Sequence, residues 1–370
     1  MLKKITSFIR HDPVLAAAFA AAFVSAFFVP PSRQYIDYID YRVLCLLLSL
    51  MLVVAGLKKV GVFDLLVTKL LTVAGSTRSL TAVLTGVCFF TSMFITNDVA
   101  LITFVPLAIM TLRQSGNSRL LIPVIVLQTI AANLGSMLTP LGNPQNLYIF
   151  ALSGMSTGSF LKVMAIPTLL SFLLLAVSLL FIKSDTIDID TASLPQVSGL
   201  KRAVPWAALF ILCILAVSHI IHFGVALAIV IAAVLILDRS ILPKADYGLL
   251  LTFVFFFVFI GNIKALPAVN NALSSLVYGR ELAASILLSQ VISNVPAAML
   301  LSGFTDNYSD LLLGVNLGGL GTLIASMASV ISYKLYAAEE DAGPGKYLGV
   351  FTGVSVIMLA VLWTAVWLIK

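Results

Sequence analysis

The chain has 370 residues, 60% of them hydrophobic and only 10% charged, with a formal net charge of +6. Soluble domains carry about 25% charged residues, so this balance excludes an ordinary soluble protein and indicates an all-α polytopic membrane protein whose first partner is the lipid bilayer. Nucleic acid is excluded as a partner, because Lys and Arg form only short juxtamembrane groups.

A spanning helix needs about 20 mostly apolar residues. Residues 13–29 form the first such run. It follows a basic N-terminus and ends at Pro30-Pro31 without a small-residue cleavage site, so it is expected to be a retained span and not a signal peptide. Residues 41–56 form the second, followed by Lys58-Lys59 and an amphipathic helix over 62–73. The apolar stretch 79–110 is too long for one crossing and is interrupted at Thr96-Asn97-Asp98. Positive charge stands on both its flanks, Lys58, Lys59 and Arg78 before and Arg113 and Arg119 after. That pattern predicts a re-entrant helical hairpin entering and leaving on the cytoplasmic side.

Residues 120–152 carry Asn133-Leu134-Gly135-Ser136-Met137-Leu138-Thr139-Pro140-Leu141-Gly142-Asn143-Pro144-Gln145-Asn146. Such a concentration of Gly, Pro and amides at membrane depth breaks a helix. The backbone groups it frees are tolerated only inside protein or along a polar cavity. Further apolar runs cover 160–182, 205–221, 224–237 and 249–260, with one polar loop at 183–202. The stretch 282–304 is interrupted at Ser293-Asn294-Val295-Pro296, 311–335 is a second broken span, and 347–369 is the last. The chain is thus expected to make about nine crossings and two hairpins. The N-terminus is placed in the cytoplasm and the C-terminus outside. Lys3, Lys4, Arg10, Lys183, Lys201, Arg202, Arg239, Lys244, Lys334 and Lys346 then fall inside, while Arg33, Lys264 and Arg280 fall outside.

Three short patterns recur in the same order. Asp40-Tyr41 returns as Asp246-Tyr247, Ile95-Thr96-Asn97 as Ile292-Ser293-Asn294, and Asn133-Leu134-Gly135 with Thr139 as Asn316-Leu317-Gly318 with Thr322. The first hairpin is expected to enter from inside and the second from outside, so the halves are inverted: a first repeat over 1–182, a loop and linking span over 183–223, and a second repeat over 224–370. Inverted repeats with broken helices are the construction of many secondary transporters.

Each interruption places a hydroxyl and an amide where two half-helices meet. Free N–H groups of the half-helix that begins there favour an anion or polar oxygen, and hydroxyls with half-helix carbonyls favour Na⁺. The same residues could instead only cap their helices. Asp98 is the one carboxylate deep in an intramembrane segment, which makes it a candidate for coupling to Na⁺ or H⁺. Its counterpart in the second interruption is Val295. No Lys or Arg lies in either interruption or either break, which tilts the substrate toward a weakly charged species or cation coupling. His219 and His222 are expected to meet lipid headgroups, and the Phe run 253–259 to be a packing or lipid-facing surface. Cys45, Cys88 and Cys213 have the spacing of neither a disulfide framework nor a metal site. The residues Lys183, Asp185, Asp188 and Asp190 form a solvated loop and no metal centre. Nothing forms a nucleophile–base constellation and the membrane carboxylates do not pair, so the chain is expected to be no enzyme and to need no cofactor.

The segments Ile39-Asp40-Tyr41-Arg42-Val43-Leu44, Thr96-Asn97-Asp98-Val99-Ala100-Leu101 and 133–146 resemble the ion transporter superfamily. That superfamily includes arsenite permeases, sodium-coupled citrate and dicarboxylate carriers and some sodium/proton antiporters. Ser293-Asn294-Val295-Pro296-Ala297-Ala298-Met299-Leu300-Leu301 resembles the second-repeat signature of its bacterial anion permease branch. The resemblance implies paired re-entrant hairpins, often in a homodimer, with elevator-type movement. It implies binding residues at Thr96, Asn97, Ser293 and Asn294 in the tips, and at Asn133, Thr139, Gly142, Asn143, Asn316 and Thr322 in the breaks; Asp98 and Gly318 complete the candidate set. The sodium–dicarboxylate carriers read Ser-Asn-Thr at both tips, where this chain reads Thr-Asn-Asp and Ser-Asn-Val. The expectation is an ion-coupled permease of the inner membrane for a small anion or metalloid oxyanion, working by alternating access. A sodium/proton antiporter using Asp98 and an arsenite/antimonite efflux permease are the alternatives.

Overall fold

The computed structural model describes residues 13–71, 74–187 and 200–369. They form helices joined by short turns, and among them β-structure is confined to one isolated bridge, Ser76 with Thr186. The helices are α1 (Pro13–Ser25), α2 (Gln34–Tyr38), α3 (Tyr41–Lys59), α4 (Val62–Leu71), α5 (Thr77–Thr91), α6 (Asn97–Gln114), α7 (Leu121–Ser136), α8 (Pro144–Ser153) and α9 (Thr157–Leu179). A linking helix α10 (Ala203–Val217) and α11 (Phe223–Leu237) follow. The chain ends with α12 (Tyr247–Lys264), α13 (Pro267–Val277), α14 (Glu281–Ile292), α15 (Asn294–Leu301), α16 (Tyr308–Leu317), α17 (Met327–Ala337) and α18 (Pro344–Ile369). Among the described residues five helical stretches are long and apolar enough to cross a membrane: Tyr41–Lys59, Ser118–Ser136, Thr157–Leu179, Tyr247–Lys264 and Pro344–Ile369.

The order of elements from α3 to α9 returns from α12 to α18, and local chemistry explains the matching boundaries. Asp40 accepts from the Val43 N–H at 3.0 Å and Asp246 from the Leu249 N–H at 2.9 Å, so the same residue type caps α3 and α12. Lys58, Lys59 and Lys264 sit in the last turns of these helices, where carbonyl ends favour cations. Arms α14 and α15, with 12 and 8 residues, reach only roughly 18 and 12 Å. Neither alone spans about 30 Å of hydrocarbon, and the two arms pack against each other as a hairpin. The hairpin α5–α6 turns at residues 92–96.

Packing follows the same order. In the first half α7 lies along α5, and in the second α16 lies along α14; α1 packs on α12 while α11 packs on α3. Gly318 permits the second of these approaches, since a Cβ there would stand 2.8 Å from the Ser289 hydroxyl. The Phe run proves to be a packing surface: Phe253, Phe256 and Phe257 are buried, and Phe255 meets Phe19 edge-on at 5.2 Å. Cys88 and Cys213 are buried as small core residues, and Cys45 is half-buried. His219 is exposed at the turn after α10. Its Nε2 lies 2.9 Å from the Arg42 guanidinium and its ring stacks on Phe150, because the turn after α10 folds back over α8. His222 caps α11, accepting from the Gly224 N–H at 3.2 Å. Of the polar loop, Lys183 and Asp185 pair at 2.8 Å, while Asp188 and Asp190 lie outside the described residues.

Candidate functional site

Both hairpin tips hold a non-glycine residue in a backbone region that side chains seldom adopt. Thr96 has φ 57° and ψ 145°, and Ser293 has φ 75° and ψ 154°. Such conformations cost on the order of 1–3 kcal/mol and persist only where the surroundings impose them. The surroundings are matched. The Thr139 hydroxyl donates to the Met93 carbonyl, and the Thr322 hydroxyl donates to the Gln290 carbonyl at 3.0 Å. Met93 and Gln290 each stand three residues before the strained one. The Asn97 N–H donates to the Gly142 carbonyl at 3.0 Å, and the Ser293 hydroxyl donates to the Ala325 carbonyl at 3.4 Å. Neither Thr96 nor Ser293 makes a side-chain cap to the helix it precedes. Simple capping therefore does not account for the tip hydroxyls.

Between the tips, the two broken helices exchange hydrogen bonds. Asn133, at the end of α7, accepts from the Asn97 amide at 2.9 Å and from the Ser326 hydroxyl at 2.9 Å, and donates to the Ser329 hydroxyl at 3.1 Å. Asn316, at the end of α16, accepts from the Asn143 amide at 3.0 Å and donates to Asn146 Oδ1 at 2.7 Å. Asn133 and Asn316 stand 183 positions apart, and so do Asn143 and Ser326, and Asn146 and Ser329. Each asparagine thus reaches across to the first turn of the half-helix belonging to the other half of the chain. Asn143 also caps α8, accepting from the Asn146 N–H at 2.9 Å, and Gly142 is required beside it because a Cβ there would run into the Ser136 carbonyl.

A cavity of about 550 Å³ reaches this network from one side. Thr96, Asp98 and Asn143 lie on its wall, Leu47, Met51 and Val54 make it apolar, and Lys58, Asp64, Lys244 and Asp246 stand among its charged lining. Lys59, also on that wall, is held by Asp238 and by the Ser240 hydroxyl at 2.6 Å. The Lys59 hydrogen bond, with help from Ser240, pushes the Asp238 carboxyl down to about 2, so that carboxyl stays ionised at neutral pH. Asn97 lies one hydrogen bond behind the wall, accepting from the Asp98 N–H at 3.0 Å, and Asn133 lies one bond further back. Ser293, Asn294, Asn316, Gly318 and Thr322 do not line the cavity. Asn294 is 4% exposed, and its side-chain amide makes no hydrogen bond to the described residues.

Sequence reasoning missed Asn146, Ser326, Ser329 and Gln290. Gln290 donates to the Gly318 and Leu320 carbonyls at 2.9 and 3.0 Å and accepts from the Thr322 N–H at 2.9 Å, holding the second break against its hairpin. Carrying the Asn133–Asn316 register ten and thirteen residues further would have found the two serines. Among the described residues no group of three or more His, Cys, Asp or Glu is placed to hold a metal.

Residues 4–308 match the family model described as citrate transporter. An uncharacterized transporter of Methanocaldococcus jannaschii is 32% identical over 324 residues, covering 86% of this chain and 87% of its own. The inner membrane protein YbiR of Escherichia coli is 32% identical over 320 residues, covering 84% of each chain. A more distant relative, a candidate transporter named arsB from Dictyostelium discoideum, is 23% identical over 189 residues, covering 49% of this chain and 33% of its own.

Proposed function

The chain belongs to the citrate transporter family of the ion transporter superfamily, and from that premise we propose that this membrane transporter is an ion-coupled secondary carrier of a small anion or metalloid oxyanion. Its halves form two inverted repeats, with the N-terminus in the cytoplasm and the C-terminus outside. Substrate and coupling ion meet between the tips at Thr96, Asn97, Ser293 and Asn294 and the breaks at Asn133, Asn143 and Asn316. Thr139, Gly142, Gly318 and Thr322 position these groups.

The reciprocal bonding of Asn133 to Ser326 and Ser329, and of Asn316 to Asn143 and Asn146, carries this reading. It ties two half-helix N-termini together at the floor of a cavity open from one side. Buried amides and hydroxyls with aligned N–H groups suit a polar solute that sheds its water on binding. Lys58 and Lys244 line that cavity, so on the proposed orientation it opens to the cytoplasm. Transport then requires the floor to become reachable from outside, through an elevator-type movement of the hairpins with their broken helices in a homodimer.

Asp98 supplies the coupling. Its carboxylate lies in the first turn of α6 on a cavity wall that also carries Thr96 and Asn143, where a Na⁺ or a proton would offset its charge. The same placement favours one other reading, a sodium/proton antiporter in which Asp98 is the exchange site and no anion moves. The resemblance of Thr96-Asn97-Asp98 to the arsenite-permease tip keeps arsenite and antimonite in the substrate set. The deciding experiment is transport in proteoliposomes of citrate, succinate, phosphate, sulfate and arsenite, with Na⁺ and pH gradients imposed separately. Accumulation of one of these under one gradient supports the carrier. Cation exchange with no solute moving supports the antiporter.

A further inference from the structure

Glu281 opens α14 at the base of the second hairpin and is only 3% exposed. Its Oε1 accepts from the Gly279 N–H at 3.2 Å and from the Thr305 hydroxyl at 3.0 Å. The carboxylate therefore links the start of one arm to the chain leaving the other. Its Oε2 is buried and has no hydrogen-bond partner among the described residues. Glu281 forms part of the wall of a separate cavity of about 560 Å³, together with Asn270, Ser274, Thr305, Asp306 and Asn307. Lys264 also lines it, yet makes no ion pair among the described residues.

A carboxylate oxygen withdrawn from water without a partner is costly, and native structures commonly meet such a group with an ion or an ordered water. We propose that Glu281 and Thr305 bind a monovalent alkali cation, sodium being the probe, at the base of the second hairpin. The donors on this wall are oxygens. Neither His nor Cys is among them, which leaves transition metals without their usual ligands. Glu281 and Asp306 set against Lys264 leave one net negative charge, which suits a monovalent ion better than calcium, whose affinity rises with the number of charged ligands. The bound cation joins the first turn of α14 to the residue just beyond α15 and so closes the hairpin at the end opposite its tip. The site stands apart from the tips, since neither Ser293 nor Asn294 lies on this wall.

The test is the thermal unfolding midpoint of the purified full chain, titrated with NaCl against choline chloride at constant ionic strength. It uses wild type, Glu281→Gln, Thr305→Val, Lys264→Gln and an Asn97→Ala/Asn294→Ala double variant. Sodium is expected to raise the midpoint of wild type and of the double variant, which separates this site from any sodium held at the tips. Glu281→Gln should lose the component that survives in the double variant, and Thr305→Val should weaken half-saturation about tenfold. Lys264→Gln removes a like charge and should lower half-saturation several-fold. The proposal is overturned if wild type ignores sodium, if the double variant loses the whole response, or if Glu281→Gln keeps it. It is equally overturned if Lys264→Gln destabilises the protein without changing half-saturation, because Lys264 is then the partner of the carboxylate. Should Glu281→Gln fail to fold, the Thr305→Val and Lys264→Gln titrations decide the matter alone.

Discussion

Asn97 and Asn294 occupy the same place in the two tips, yet the structure uses them differently, and that difference separates a fold role from a ligand role. The Asn97 amide donates to Asn133, so Asn97→Ala leaves a buried acceptor short of one partner, at about 1–3 kcal/mol. The Asn294 amide holds no protein partner, so Asn294→Ala should leave the unfolding midpoint nearly unchanged while abolishing transport. If that variant transports at parental rates, the second tip carries no ligand. Asn133→Ala strands Asn97, Ser326 and Ser329 together and should be the most destabilising single change in the site, measured by the same unfolding midpoint. Asp98→Asn removes the carboxylate that stands on the cavity wall in the first turn of α6. Counterflow of the substrate should survive and concentrative transport should not; concentrative transport at parental levels would remove Asp98 from the coupling. The hydroxyl–amide pairs at the tips were legible because Ser, Thr and Asn are conspicuous in an apolar run. Ser326 and Ser329 were not, since a helix in an apolar environment carries many serines bonded to their own carbonyls, as Ser332 is to Ala328.

At the scale of the element, each hairpin tip is strained and each is held by one threonine from the neighbouring break. Thr139→Val and Thr322→Val each delete a hydroxyl bond to the end of the first arm, worth about 1 kcal/mol. That is comparable with the cost of the φ > 0 residue it holds in place. We expect the tips to relax in both variants, seen as faster amide hydrogen exchange over 92–97 or 293–296, with transport reduced. Unchanged exchange would mean that packing alone imposes the tip conformation. The broken helices and both hairpins could be located from composition, because Pro, Gly and amides interrupt otherwise apolar runs. Helix α13 could not. Asn270, Asn271, Ser274 and Ser275 dilute its apolar face, and only its place after α12, corresponding to α4 after α3, gives it a counterpart. The sequence also named Thr139 and Thr322 as ligands, whereas their hydroxyls reach backbone carbonyls. Residue type shows that a hydroxyl is present but not which acceptor lies nearest.

At the scale of the whole molecule, matched elements become an inverted pair only if the two hairpins open to opposite faces. The base of the first carries Arg113 and Arg119, and the approach to the second carries Lys264 and Arg280, so the counting of positive charge alone leaves the second half weakly oriented. The cross-bonding of Asn133 and Asn316 supplies an independent argument. A half-helix N-terminus from each half meets the broken helix of the other, and two equivalent chains can make the same contact reciprocally when a two-fold axis relates them. An axis in the membrane plane would then send the two hairpin bases to opposite sides. Single cysteines test this at exposed positions, Ser118 beyond the first hairpin and Asn271 before the second, in a background where Cys45, Cys88 and Cys213 are replaced by Ala. A membrane-impermeant maleimide added to intact cells should label residue 271 and leave residue 118 unreacted until the membrane is opened. Both positions reacting from one side would place the two hairpins on the same face. The cavity at Asp98 would then be one mouth of a structure with no counterpart, and alternating access would lose its basis.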